Sequence, residues 1–363
     1  MKEEKVSSYQ VVMLTAGFFL GTSILMNPAA KDGSDAWFTS LVSVCAGFVI
    51  VSITATIAAL HPGKSLVNIL IFCFGKVAGK VVGFGYFLFA MWLTGVVLLT
   101  FSNYSSTISY PETPILYLSI CYMLVITFAV KIGLEAICRI SEIMLVIMIC
   151  ITLLTFYSMF TDFHPDAFMP MFKNGIVKPA VDGVIGGVLP FAEVFLILNI
   201  LPNLNVQKKL FKSLSLSVIV AGGVMMLFTI RNVSVLGAGM AARNVFPSAK
   251  VFRLMPGIDI IPLLDINVIV LGIMKVSLSL YAQVKILGDL FGLKEFKIYV
   301  LPLSALDIIV SVTLHQDFIT QLYFANNIVP FAYIPILIVI PLIILIISLI
   351  KRERPNDQEF KPE

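Results

Sequence analysis

Two ionisable residues, Glu193 and Lys275, stand inside long apolar runs, where a charge is costly unless it faces a protein interior and finds a partner. Glu193 lies three residues beyond Pro190 in VDGVIGGVLPFAEVFLILNILPN, and Lys275 lies near the middle of the run 263–288. Two roles are open. Either the two form a buried ion pair, or the Lys275 ammonium takes the place of a bound coupling cation. A neutral cluster adds a second kind of chemistry. The run LTAGFFLGTSILMNP, residues 14–28, is interrupted by Gly21-Thr22-Ser23, small and backbone-permissive residues of the sort found where something approaches the main chain. Unwinding there frees the amides of Thr22, Ser23 and Ile24 at the positive end of a half-helix, which suits a carboxylate. The opposing reading is that Thr22 and Ser23 bond back to the preceding turn and only bend the helix. In the run that holds Glu193, the glycines Gly183, Gly186 and Gly187 crowd before Pro190, and carbonyls freed around Gly186 to Leu189 suit an ammonium group. Together the two breaks describe a site for a zwitterion, most simply an amino acid. Glycines are also ordinary packing residues between membrane helices.

Lys275 and Ser279 share a helical face that continues to Ala282 and Gln283, and Ala90, Thr94 and Val97 form a similar small-residue face. Other candidates are weaker. His61, His164 and His315 are far apart without metal-site spacing, and the five cysteines, Cys45, Cys73, Cys121, Cys138 and Cys150, sit singly without a CxxC pair. The sequence carries no phosphate loop, dinucleotide fingerprint or nucleophile elbow, so no enzymatic activity, cofactor, metal or nucleic-acid partner is expected.

The elements that must position these residues are membrane helices. Of 363 residues, 59% are hydrophobic and 13% charged, with mean hydropathy +0.99, which excludes a water-soluble fold. The apolar runs are continuous and long enough to cross ~30 Å of hydrocarbon as helices, unlike the ~10-residue alternating segments of a β-barrel. They fall at 9–30, 36–60, 81–105, 114–131, 140–160, 181–202, 213–236, 263–288, 298–314 and 329–350. Ten spans put both termini on one side, and lysine and arginine are concentrated in the loops of that side, which predicts cytoplasmic termini. Two halves of five must cross in opposite senses. The first span of each half carries an interruption, the pointer to a midplane site in an inverted-repeat transporter. The expectation is an all-α integral membrane protein, a single membrane domain of LeuT type, with repeat one at about 9–160, repeat two at about 181–350 and a short tail at 351–363. Spans one, three, six and eight are expected to wall the pocket.

The chain resembles the B subunit of spore germinant receptors, a family of the amino acid, polyamine and organocation transporter superfamily. The resemblance rests on the interrupted span one, Asp35-Ala36-Trp37-Phe38 at the start of span two, Phe191-Ala192-Glu193-Val194 followed by Pro202 and a lysine cluster, Phe246-Pro247-Ser248, and Asp265 leading into Met274-Lys275-Val276-Ser277. It implies a sensor in the spore inner membrane that binds a small germinant, often an amino acid, and works with an A subunit and a lipoprotein C subunit. Carried over by position, ligand contacts fall at Gly21, near Val97, near Pro190 and Phe191, and at Ser279 and Gln283. Ser23 and Gly272 depart from the residues common in the family. The alternative reading of the same architecture is a proton-coupled amino-acid symporter, with Lys275 or Glu193 as the titrating group.

Overall fold

A computed structural model describes residues 6–25, 27–158, 163–204, 209–254, 260–293, 295–315 and 317–352, without the side chains of Pro28, Leu201 and Arg352. The tail from 353, Lys208 of the lysine cluster after Pro202, and residues 255–259 lie outside this set.

In hydrocarbon every backbone polar group must be bonded within its own segment, and the described residues accordingly form helices almost throughout. The chain runs α1 (Ser8–Ser23), a 3-10 stretch (Pro28–Asp35), α2 (Ala36–Leu60), α3 (Leu66–Phe74), α4 (Lys76–Ile108), α5 (Ile115–Ile132) and α6 (Leu134–Ser158). It continues with α7 (Val177–Ala192), a 3-10 segment (Glu193–Asn203), α8 (Leu210–Leu236), α9 (Ala238–Arg243), α10 (Pro247–Arg253), α11 (Ile261–Phe291), α12 (Val300–Thr313), α13 (Phe318–Asn327), α14 (Val329–Tyr333), a π-helical turn (Ile334–Val339) and α15 (Ile340–Arg352).

Among the described residues, nine helices are long and apolar enough to cross a membrane. With 16 residues, α1 is shorter than a full crossing needs, because its span is interrupted before it is complete. Counting it gives the ten expected spans. Local chemistry sets the ends. Ser7 and Gln10 form a reciprocal capping box at the start of α1. Gly75 and Gly133, at φ 83° and 127°, allow the abrupt turns from α3 into α4 and from α5 into α6 that residues with a Cβ rarely make. The sequence reading missed α3, a nine-residue helix with Leu66, Val67, Ile69, Leu70 and Cys73 buried.

Packing follows the inverted repeat. Spans one and two (α1, α2) pack with spans six and seven (α7, α8), while spans three and four (α4, α5) pack with spans eight and nine (α11, α12). Each group contains equivalent members of both halves, as a pseudo-two-fold relation requires. The first group is drawn together by small residues: an ideal Cβ on Gly183 or Gly187 of α7 would come within 2.7 or 2.6 Å of the Thr39 or Ser43 carbonyl of α2. Ser43 Oγ donates to the Gly183 carbonyl across the same contact, at 2.8 Å. These two glycines therefore serve close helix packing.

Candidate functional site

The interruption in span one lies beyond the residues that suggested it. Gly21, Thr22 and Ser23 remain helical, Ser23 Oγ donates back to the Phe19 carbonyl at 3.0 Å, and the amides of Ile24 and Leu25 donate to the carbonyls of Leu20 and Thr22 at 3.2 Å each. The expected free donor at Ile24 is thus taken. The helix ends at Ser23 with Ile24 as its C-cap, the chain is extended at Asn27, where the following proline disfavours helical backbone, and the Asn27 side chain caps the new turn by accepting from Ala29 N at 3.1 Å. In span six Pro190 supplies no amide to the turn before it, and three residues later α7 passes into 3-10 geometry at Glu193. The expected interruption around Gly186 to Leu189 is displaced to this junction.

Glu193 and Lys275 meet there. Lys275 Nζ lies 2.6 Å from Glu193 Oε2, and the relative exposures of the two side chains are 1% and 5%. The ammonium also donates to Thr22 Oγ1 at 3.0 Å and lies 5.3 Å from the centre of the Phe18 ring. The other carboxylate oxygen of Glu193 accepts from Tyr333 OH at 2.7 Å. The charge pair thus ties α1, the 3-10 segment, α11 and α14 at one point. It needs room, and Gly21 provides it: an ideal Cβ there would sit 2.6 Å from Lys275 Cδ and 2.7 Å from its Cβ.

Above the pair is a cavity of about 270 Å³. Thr22, Ser23, Pro190, Glu193 and Tyr333 line its deep end, Trp92, Leu93, Val96, Val97 and Thr100 of α4 form one wall, and Lys31, Arg243, His315 and Asn326 stand among its outer residues. Lys31 Nζ donates to Asn326 Oδ1 at 2.5 Å, joining the first 3-10 stretch to α13. Burial lowers the His315 imidazole from its ordinary range, against a smaller upward pull from Asp317.

Of the residues singled out from sequence, Thr22, Ser23, Val97, Pro190 and Glu193 line this cavity. Gly21, Ile24, Thr94, Gly187, Phe191, Lys275, Ser279 and Gln283 are not in its lining. Thr94 Oγ1 donates to the Ala90 carbonyl within α4, and Ser279 Oγ to the Lys275 carbonyl within α11. Phe191 packs edge-on against Phe19 and in the notch left by Gly47. Gln283 turns to Asp307 on α12. Spans one, three and six contribute to the wall of this cavity, and span eight places only the Lys275 end group beneath it. The loop helices α9, α10 and α13 and the start of span ten supply the rest. Sequence reasoning missed Trp92, Arg243, His315 and Tyr333. Tyr333 carried the one readable signal, a hydroxyl-bearing ring in an otherwise apolar run that must find a partner.

Among the described residues no three His, Cys, Asp or Glu side chains gather as a metal site.

A family model described as "Spore germination protein" matches residues 5–319. "Spore germination protein KB" of Bacillus subtilis (strain 168) is 27% identical over 363 residues, covering 98% of this chain and 97% of that protein. Solved structures with a similar fold include MHP1, a nucleobase-cation-symport-1 family transporter in a closed conformation with bromovinylhydantoin bound. It has a TM-score of 0.73 at 13% identity, over 97% of this chain and 80% of the transporter. MhsT in complex with L-phenylalanine has a TM-score of 0.62 at 13% identity, over 96% of this chain and 99% of its own. The fold is that of LeuT-type transporters.

Proposed function

Because the chain belongs to the spore germination protein family, we propose that it is the germinant-sensing subunit of a spore nutrient receptor, taking a small molecule, most simply an amino acid, into the cavity above Glu193 and Lys275. The observation that carries this reading is the cavity itself, a hollow of about 270 Å³ with a buried charge pair at its deep end. Its size suits a ligand of few heavy atoms. Its polarity suits a zwitterion: the Glu193 carboxylate, held here by Lys275 and Tyr333, and the Thr22 and Ser23 hydroxyl oxygens can accept from an ammonium group, the Lys31 and Arg243 cations nearer the outer end can meet a carboxylate, and the α4 wall accepts an apolar side chain.

The pair gives binding a way to change the protein. A ligand ammonium that competes with Lys275 for Glu193 weakens the tie between α11 and the 3-10 segment, shifting the balance between two arrangements of the helix groups. In this reading an A subunit and a lipoprotein C subunit receive that change in the spore inner membrane, with the termini of this chain in the cytoplasm. Filling the hollow tests the site. Spores carrying Val97→Trp should lose their response to a panel of L-amino acids while keeping normal amounts of the protein in the membrane, and an unchanged response would remove the cavity from the mechanism.

The fold shared with MHP1 favours a second reading, secondary active transport coupled to a proton on Glu193 or Lys275. Radiolabelled amino acids offered to proteoliposomes separate the two. Saturable accumulation by this chain alone establishes transport, and binding without accumulation supports the receptor.

A further inference from the structure

Asp307 lies at the core of α12, fully buried, in a span read as crossing the membrane. Its one polar partner among the described residues is Gln283 of α11, whose Nε2 donates to Asp307 Oδ1 at 3.3 Å. That is long for an amide meeting a carboxylate, where charge shortens the bond to ~2.7–2.9 Å. The other oxygen of each group has no match: Asp307 Oδ2 and Gln283 Oε1 are both buried and both lack a hydrogen-bond partner among the described residues. Two acceptors on side chains already joined at their other ends lack one shared donor.

The neighbouring hydroxyls do not supply it. Ser304 donates to the Val300 carbonyl and accepts from Thr127 of α5, Ser311 donates to the Ile308 carbonyl, and Ser279 donates to the Lys275 carbonyl. Nor does a cation. On α11, Lys275 is paired with Glu193 and Lys285 with Asp289, and Tyr281 lies edge-on to Phe296. On α4 no ionisable residue lies between Tyr86, which donates to the Ile336 carbonyl, and Tyr104, which donates to Asp265. On α5 none lies between Tyr122, bonded to Ser105, and Lys131 at the last turn. Lys297, in the short turn before α12, reaches the Ile132 carbonyl. A bare carboxylate with one orphan oxygen and no counter-charge is a costly arrangement at this depth, whereas a carboxylic acid is not.

We propose that Asp307 and Gln283 form a membrane-buried proton-binding site, in which Asp307 is held as the neutral acid and its Oδ2 proton is donated to Gln283 Oε1. The acid and the amide then close a two-bond ring, each giving one hydrogen and taking one, and both orphan oxygens are satisfied. The proton comes from water as the chain folds, so docking α11 on α12 takes up one proton. The site is separate from the cavity, whose lining includes neither residue.

Infrared difference spectra of the purified protein in phospholipid vesicles at neutral pH test this. Subtracting Asp307→Asn from the unmodified chain should reveal one carboxylic-acid carbonyl stretch, shifted in heavy water. Loss of a carboxylate band instead would overturn the proposal. Asn keeps both hydrogen bonds and the shape. Should that variant nevertheless fail to fold, Gln283→Leu reads the pair independently, because Asp307 stays while its acceptor goes. The acid band should then move to higher frequency, and an unmoved band would overturn the pairing.

Discussion

The charge pair at the end of the cavity can be weighed by a double-mutant cycle. Lys275→Met removes the ammonium but keeps an unbranched stem beside Gly21, leaving the Glu193 carboxylate 4% exposed with only the Tyr333 hydroxyl to meet its charge. Breaking a buried pair from one side costs ~3–5 kcal/mol, nearly all of it the stranded charge. Glu193→Gln leaves Lys275 with Thr22 Oγ1 and the Phe18 ring, and an amide can still accept from Tyr333, so the loss should fall near the lower end, about 3 kcal/mol. In the double variant no charge is stranded. Only hydrogen bonds and some packing are lost, about 1–2 kcal/mol. The cycle therefore predicts a coupling energy of at least about 4 kcal/mol between residues 193 and 275, read from denaturant unfolding in detergent micelles. Losses that add to within about 0.5 kcal/mol would refute the contact.

Three other outcomes follow from the same packing. Gly21→Ala puts a methyl against the base of the Lys275 side chain and should cost ~1–3 kcal/mol in thermal unfolding, whereas Gly223→Ala on α8, with nothing within 4 Å of its added carbon, should be neutral or stabilising; equal effects would contradict the α1–α11 register. Arg231 of α8 donates to Thr155, Asn232 and Ser248 and lies over the Phe228 and Phe252 rings, so Arg231→Lys should free α10 through loss of the planar fork, seen as faster amide exchange in Pro247–Arg253; unchanged exchange there would argue against a clamp. His61, next to the end of α2, is lowered to about 4 by burial and by Lys64, and its Nε2 meets Ser348 of α15 at 2.7 Å. Its folded pKa is below its unfolded one, so its stabilising share is complete above pH 6.5 and is lost as pH falls through 4; His61→Gln should flatten a loss of about 1–3 kcal/mol between those limits in pH-dependent unfolding.

Much of this architecture is legible in the sequence because hydrocarbon allows so few solutions. Run length and composition yield the ten spans, and an odd number of spans in each half yields the inverted repeat. Glu193 and Lys275 could be paired on paper for the same reason, since each needed a partner at depth. Finer geometry escaped because one residue type answers several needs. Gly21 reads as space for a ligand, yet the space is filled by a lysine stem, and Gly183 and Gly187 read as a break yet hold α7 against α2. Ser23 could free the chain or tie it to the previous turn, and it does the second, while the chain changes direction at Pro28, four residues beyond the last predicted donor. The cavity wall escaped for another reason. Arg243, His315 and Tyr333 reach it from loop helices and from span ten, and periodicity carries no information about which loop folds over which opening.

The 3-10 segment after α7 has a mechanical meaning. Eleven residues, Glu193 to Asn203, rise ~2.0 Å each in that geometry and would rise ~1.5 Å each as α-helix, so relaxing the segment from the narrow 3-10 winding to the wider α-helical one would shorten it by about 5 Å, close to one α-helical turn. Its far end is fastened to the residue just ahead of the first helix of the other half: Val6 N donates to the Asn203 carbonyl at 2.8 Å, and Val6 and Leu204 form a parallel bridge. Its near end begins at Glu193, on the charge pair. The segment therefore joins the charge pair at one end to the residue just ahead of α1 at the other, so any change of winding that begins at Glu193 is transmitted in length to the start of the first half.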